Sequence, residues 1–161
     1  MGIDAAGYRG IMGHFATGVT VVTTAVDGWL HGMTANALTS VSLEPLLLLV
    51  CVGKQAQAHA QLSTGGRFVV NILTAEQEEV SRIFAVSSGP ERHNLRGVPY
   101  RLRSNGLPVL EGCLAYLECA VADRWAGGDH TIFIGEVLEG EVLLEAAPLL
   151  FYRGGYRGLE P

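Results

Sequence analysis

A chain of 161 residues with 48% hydrophobic and only 17% charged residues has material for one domain with a full core, and its surface is either unusually apolar or covered by another subunit, the second being the expectation. A net charge of −5 and a single lysine, Lys54, leave no basic footprint and exclude nucleic acid as an expected partner. The longest purely apolar run, LLLLVCV at 46–52, is far below the ~20 residues that span a bilayer, so no membrane anchor is expected.

The opening MGIDAAGYRG has no apolar signal core and carries Ala6 where myristoylation needs Ser or Thr, so the mature chain is expected to be the chain shown. Asp4 is placed to cap a first helix. Its apolar face, Tyr8, Ile11, Met12 and Phe15, has helical spacing, with Gly18 as the stop and a packing partner expected. From Val19 the pattern turns β-branched and alternating, and Asp27-Gly28 predicts a two-residue hairpin turn into WLHGM, with His31 exposed. TANALTSVS at 34–42 reads as extended, Leu43-Glu44-Pro45 as a turn, and LLLLVCV as a strand buried on both faces at the centre of the sheet.

Gly53 ends that strand. AQAHAQLS predicts a short helix closed by Gly65-Gly66, and RFVVNIL a returning strand. Thr74 and Gln77 form a capping box for a helix that turns Val80, Ile83 and Phe84 inward. The segment 86–112 is the longest irregular stretch, with one short strand at YRLR. LAYLECAVADRW, TIFIGEVLEGEVLL and LLFYR complete a strand-rich second half. Many strands, few helices and 21 glycines point to a mainly β fold, a closed or nearly closed antiparallel barrel with peripheral helices, because closure removes the edges so apolar a sheet would expose.

Catalytic equipment is thin. The five histidines, His14, His31, His59, His93 and His130, show no metal-ligand spacing, and no nucleophile elbow, phosphate loop or dinucleotide fingerprint occurs. Cys51, Cys113 and Cys119 are odd in number and form no C-x-x-C pair, which suits buried, reduced thiols in a cytoplasm. An enzyme built this way relies on an organic cofactor. The best seat for one is GMTANALTSVS followed by CVGK. On an extended segment Thr34, Asn36, Ser40 and Ser42 share a face, the intervening side chains are small, and a flat ring can approach the main chain. Lys54 supplies a charge for phosphate, with Thr39 or Ser40 hydroxyls beside it. The same stretch also reads as an ordinary polar edge strand. Trp29 and Trp125 read as packing or interface residues, or as shields for a ring; Arg153, Tyr156 and Arg157 as a solvated tail ahead of a nicotinamide-phosphate contact. Asp129-His130 stands either as a turn cap with a satisfied rim histidine or as a ligand-facing pair.

GVTVVTT, GMTANALTSVSLEPLLLLVCV, FVVNIL, GDHTIFIGEV and LLFYRGGYR, in this order and spacing, resemble the flavin reductase-like family, short-chain NAD(P)H:flavin oxidoreductases that are reductase components of two-component flavin-dependent monooxygenases. The resemblance implies an FMN-binding split barrel of antiparallel Greek-key type, one domain over 1–161, a homodimer, FMN or FAD as cofactor, and NADH or NADPH as co-substrate. It implies that Met33, Thr34, Ala35, Asn36 and Ala37 line the isoalloxazine ring, that Ser40, Cys51, Val52 and Lys54 lie towards the ribityl phosphate, and that Phe84 covers the ring. It makes His130 the catalytic residue, orienting the nicotinamide and favouring the reduced flavin, while Asp129 holds the turn. KQAQA departs from the family pattern in placing Ala56 where a hydroxyl is expected, with Gln55 or Gln57 as substitute donors, and RHNLRG at 92–97 departs as well. The expected function is reduction of FMN or FAD for a separate monooxygenase component in the cytoplasm. Two alternatives stand beside it: a split-barrel oxidoreductase with tightly bound FMN and its own small substrate, and a non-catalytic flavin-binding module.

Overall fold

A computed structural model of the chain describes residues 2–86 and 95–159; His93 and the first part of RHNLRG lie outside the described residues. Asp4 caps α1 (Ala5–Met12) by accepting the Gly7 N–H at 2.8 Å, and Gly13 closes the helix. The helix is therefore shorter than the expected run to Gly18. None of its residues is buried, and Tyr8, Ile11, Met12 and the following Phe15 all stand exposed. Among the described residues none covers that face.

The next strands are β1 (Thr17–Gly18), β2 (Thr20–Val26) and β3 (Trp29–Ala35). β2 and β3 pair antiparallel through Asp27 and Gly28, both at positive φ, as a two-residue hairpin requires. β4 (Leu38–Leu43) and β5 (Leu46–Gly53) follow, then α2 (Gln57–Gly65), closed by a left-handed Gly66, and β6 (Arg67–Ile72). The capping box forms as expected between Thr74 and Gln77, leading through a 3-10 turn into α3 (Glu78–Ala85). The second half adds a small hairpin of β7 (Tyr100–Leu102) and β8 (Pro108–Leu110), the long pair β9 (Ala115–Gly127) and β10 (His130–Val142), and the C-terminal hairpin β11 (Leu150–Tyr152) and β12 (Gly155–Arg157). Both β8 and β12 were absent from the expected elements.

Seven strands form one antiparallel sheet in the order β3-β2-β6-β9-β10-β5-β4. β3 and β4 are neighbours in sequence yet lie at opposite edges, so the two-residue linker Asn36-Ala37 has to bring the edges together. Cys51 on β5 donates its N–H to Ala37 O at 3.0 Å, extending the β4–β5 ladder by one rung into the linker. This is a split barrel. One core fills it, built on Val22, Val50, Val52, Phe68, Val70 and Phe133, with Ala58 and Leu62 of α2 in the same cluster. A second core lies on the outer side of β2 and β6, under α3 and the β7–β8 hairpin, and includes Val21, Val69, Phe84, Val109 and Tyr116.

That second layer corrects one expectation. β2 and β6 are the strands buried on both faces, whereas β5 alternates, with Leu48, Val50 and Val52 inside and Leu47, Leu49 and Cys51 only half-buried. β5 sits one strand from the edge, and β9 holds the centre. Continuous hydrophobicity in β5 therefore does not mark a second covering layer of this chain. Buried Asn71 is fully engaged in the outer layer: it donates to Val21 O and Thr23 Oγ1 at 3.0 Å each and accepts from Leu110 N at 2.9 Å, tying three strands together. No helix among the described residues is long and apolar enough to cross a membrane.

Candidate functional site

The end of β3, the linker and the first residues of β4 form the floor of a groove made of three adjoining clefts. The first, about 250 Å³, lies between Met33, Thr34 and Phe84 on one side and Gln55, Ala56 and Gln57 on the other. Thr34 is shared with the second, about 150 Å³, whose other walls include Ser81, Phe151 and Tyr156. Asn36 is shared with the third, about 250 Å³, reaching Phe15, Thr17 and Thr39. Among the described residues no acidic side chain lines any of the three.

This floor is braced from behind. Thr20 Oγ1 donates to Ala35 O and Thr34 Oγ1 to Ser81 O, both at 2.6 Å. Thr34 therefore spends its hydroxyl on holding α3 against β3, and Ala35 is buried in the barrel core. Asn36 and Ala37 are exposed. The strand breaks at these two residues, and β4 carries a register shift between Ser40 and Ser42. The expected common face of Thr34, Asn36, Ser40 and Ser42 is thus lost, since one break and one bulge each reset a period-2 alternation.

Phe84 is 4% exposed and stands against Gly32, where a Cβ would lie 2.7 Å from its ring. Gly32 is required by that approach, the usual meaning of a glycine inside a strand pattern. Phe84 thus presents one part of itself to the cleft and packs its body on the main chain of β3. Tyr156 is not a solvated tail residue. Its hydroxyl and Ser81 Oγ share a hydrogen bond at 2.8 Å, its ring meets Phe151 edge-on at 5.5 Å, and the Arg82 guanidinium lies 4.9 Å from its centroid. Ser81 is a cleft residue the sequence reading did not name, while Tyr156, read there as a solvated tail residue ahead of a nicotinamide-phosphate contact, lines the second cleft beside it.

At the other end, β5 delivers Cys51, Val52 and Gly53 to Lys54. Val52 points into the core and offers only main chain, while Cys51 is half-buried on the opposite face rather than buried filler. Lys54 Nζ donates to Gly128 O at 2.7 Å, and its N–H to Asp129 O at 3.0 Å. The lysine thus pins the β9–β10 turn, the role expected of Asp129. Asp129 instead accepts from His130 Nδ1 at 2.8 Å; that hydrogen bond and the ring's charge, with Lys54 further off, draw its carboxyl below the usual carboxylate range. With Nδ1 turned to the carboxylate, Nε2 faces Gly53, paired with His130 across the sheet, where a Cβ would meet only that nitrogen, at 3.8 Å. α2 begins just beyond, and its N-cap, Ala56, makes no side-chain capping bond. Its first N–H groups and partial positive charge remain for an anion beside Lys54.

Ser40 does not join this corner. It pairs with Leu48, six residues before Lys54 on the chain, which at ~3.3 Å per residue is roughly 20 Å of strand. Within one chain the two do not meet on one phosphate. His31 is half-buried in the first cleft rather than exposed, while Trp29 and Trp125 are exposed. Among the described residues no group of three or more His, Cys, Asp or Glu side chains is placed to hold a metal ion.

The groove fits a flat, electron-accepting ring with a phosphate tail: main-chain and neutral walls, no acid, and a cation at one end. Comparison with known proteins points the same way. Residues 12–160 match the family described as "Flavin reductase like domain". The chain is 40% identical over 161 residues to the flavin-dependent monooxygenase reductase subunit HsaB of Mycobacterium tuberculosis, covering 99% of this chain and 84% of that protein. It is 42% identical over 160 residues to an NADH-dependent FAD reductase of Streptomyces globisporus, covering 98% and 87%. Among solved structures, the NADH:FAD oxidoreductase SgcE6 of Streptomyces globisporus superposes with a TM-score of 0.93 at 42% identity, over 98% of this chain and 94% of that one. BorF, the flavin reductase component of a bacterial two-component tryptophan halogenase, superposes at 0.91 with 40% identity, over 98% and 99%.

Proposed function

The chain belongs to the flavin reductase-like family, and from that premise we propose that it is an NAD(P)H:flavin oxidoreductase, one domain over its length, that reduces FMN or FAD for a separate flavin-dependent monooxygenase component. The observation that carries this reading is the groove, with its neutral main-chain floor at 33–37, no acidic wall, and Lys54 and the uncapped start of α2 at one end. Flavin held there would supply the hydride acceptor for a reduced nicotinamide, chemistry that calls for no side-chain nucleophile. Thr20 and Thr34 hold the floor in place, Phe84 and Tyr156 wall it, and Lys54 carries the phosphate charge. Asp129 fixes the His130 ring with Nε2 towards Gly53, which suits it to orient a nicotinamide and to support negative charge on a reduced ring.

The active form is a homodimer in this reading. The exposed apolar face of α1 supports it, as does an apolar groove of about 400 Å³ over the ends of β9 and β10, where Leu46, Leu138 and Val142 stand exposed. The three free cysteines suit a reducing cytoplasm. Steady-state NADH and NADPH oxidation, with and without added FMN or FAD, tests the function. Turnover that saturates in free flavin is expected. Turnover that needs another small substrate, or tight flavin binding with none, overturns it, and light scattering that shows a monomer at micromolar concentration overturns the dimer.

A further inference from the structure

The turn that leads into His130 has little of its own to hold it. Gly128 stands at positive φ, a Cβ placed on it would meet nothing within 4 Å, and the Asp129 carboxylate is 94% exposed. Glycine leaves the main chain of such a turn free to move unless something outside it intervenes. Among the described residues, the hydrogen bonds that reach Gly128 and Asp129 from outside the hairpin both come from Lys54: Nζ donates to Gly128 O at 2.7 Å and the main-chain N–H to Asp129 O at 3.0 Å. His130 follows at once. Its strand partner is Gly53, the residue before Lys54, and its ring is held by Asp129 through Nδ1 at 2.8 Å. One lysine therefore stands behind the whole mounting of the histidine.

Lys54 is exposed, and a charged contact in water contributes little to folding. Its consequence lies in what it holds. An ammonium has three donors, of which Nζ commits one to Gly128 O among the described residues. The other two, and the charge, remain for an anion. We propose that Lys54 is a positioning residue for the nicotinamide step: it holds the Gly128–Asp129 turn, thereby fixes His130, and so links an anion at this end of the groove to the aim of the histidine. A phosphate that restrains the ammonium restrains the turn with it. The cost of ordering this long side chain then falls once for two ligands, which couples them positively. The inference rests on the reductase reading, in which His130 orients the nicotinamide and Lys54 meets the flavin phosphate.

Lys54→Met keeps the main-chain N–H and the apolar stem and removes the Nζ donor. In the ligand-free protein, amide relaxation NMR should give order parameters of about 0.85 for Gly128 and Asp129, falling below about 0.6 in Lys54→Met, at an unchanged melting temperature. Turnover is then read with saturating riboflavin, which has no phosphate and so leaves out direct contact between Lys54 and the flavin tail. There kcat/KM for NADH should fall about fivefold in Lys54→Met. The same substitution should add no further loss to His130→Ala, because the lysine acts through the histidine. With FMN in place of riboflavin, the KM for NADH should be lower in the unaltered protein and the same in Lys54→Met. A turn equally ordered with and without the ammonium overturns the inference. So do a native kcat/KM in Lys54→Met with riboflavin, a loss that persists in full beside His130→Ala, and a KM for NADH indifferent to the flavin phosphate. A protein that oxidises no NADH with any flavin fails the reductase reading, and the relaxation measurement still decides whether Lys54 holds the turn.

Discussion

Two ionic clusters sit at opposite extremes of burial. Glu118 on β9 is 4% exposed and receives Arg67 Nη1 at 3.1 Å, Arg103 Nε at 3.0 Å and Asn105 Nδ2 at 2.7 Å. Arg103 in turn donates to the Tyr116 hydroxyl at 2.6 Å and pairs with Glu139, and that pair first, then Tyr116 and Glu118, holds its proton more firmly than usual. The carboxylate of Asp129, by contrast, is 94% exposed and its His130 partner 49%. A carboxylate taken out of water must be met by donors or it costs several kcal/mol, so the first cluster is spent on holding β6, β9 and the 103–105 turn together. An exposed pair contributes little to folding. The Lys54–Asp129–His130 corner is therefore free to serve a ligand. Charged groups do different work because of where the sheet puts them.

The largest expected effect breaks the buried cluster. Glu118→Ala leaves Arg103 facing a vacated site and should lower unfolding stability by about 3–5 kcal/mol, measured by urea denaturation, whereas Asp129→Ala should leave the denaturation midpoint where it is. Comparable losses in both variants would erase the distinction. Next comes Gly32→Ala, whose Cβ would lie 2.7 Å from the Phe84 ring. It should cost about 1–3 kcal/mol through overpacking and weaken flavin binding as well, linking outer core to groove; a variant with native stability and affinity would separate them.

At the exposed corner the effects should fall on ligands and not on the fold. Lys54→Ala should weaken FMN by about tenfold, as expected for loss of one charge-assisted contact, and leave riboflavin, which lacks the phosphate, unchanged. Parallel losses for both flavins would remove Lys54 from phosphate binding. His130→Ala should slow flavin reduction or raise the KM for NAD(P)H by about tenfold with flavin affinity and dimerisation intact, read by stopped-flow absorbance. Reduction at the native rate and native nicotinamide dependence would make the histidine structural.

The smallest effects concern pH and the thiols. Burial pushes the Cys119 thiol up to about 12, above its unfolded value, so its contribution to stability is complete below about pH 8.5 and is lost as pH rises through 12. Asp129 is shifted the other way. Its contribution is present above about pH 3.9 and disappears only as pH falls through its lowered folded value. Neither group titrates between pH 5 and 8. Iodoacetamide at pH 8 should accordingly label Cys51 alone, half-buried as it is, and Cys51→Ala should abolish labelling. Labelling of Cys113 or Cys119 in native protein would show an interior more open than the packing implies.

What the amino-acid sequence by itself determined was local or cumulative. Asp4, the Asp27-Gly28 turn, the Thr74 and Gln77 box and the Gly66 stop each act within a few residues, where geometry is set by the chain's own dihedrals. The inward Phe84 follows from helical spacing, and the barrel class from many strands seeking closure. Five ordered motifs carried the family, which no single local pattern did. The tertiary structure decided whatever depends on register and closure. It moved β5 from the centre to the sheet's flank and laid a second layer on β2 and β6. It also set Ser40 opposite Leu48, away from Lys54, and brought Tyr156 to Ser81 and His130 to Gly53. Apart from Ser40 and Leu48 these partners lie far apart along the chain, and a strand's alternation shows which side chains share a face without showing what lies against that face. Only the order of strands and the path of the two-residue linker across the seam fix that, because packing partners are chosen by the whole sheet.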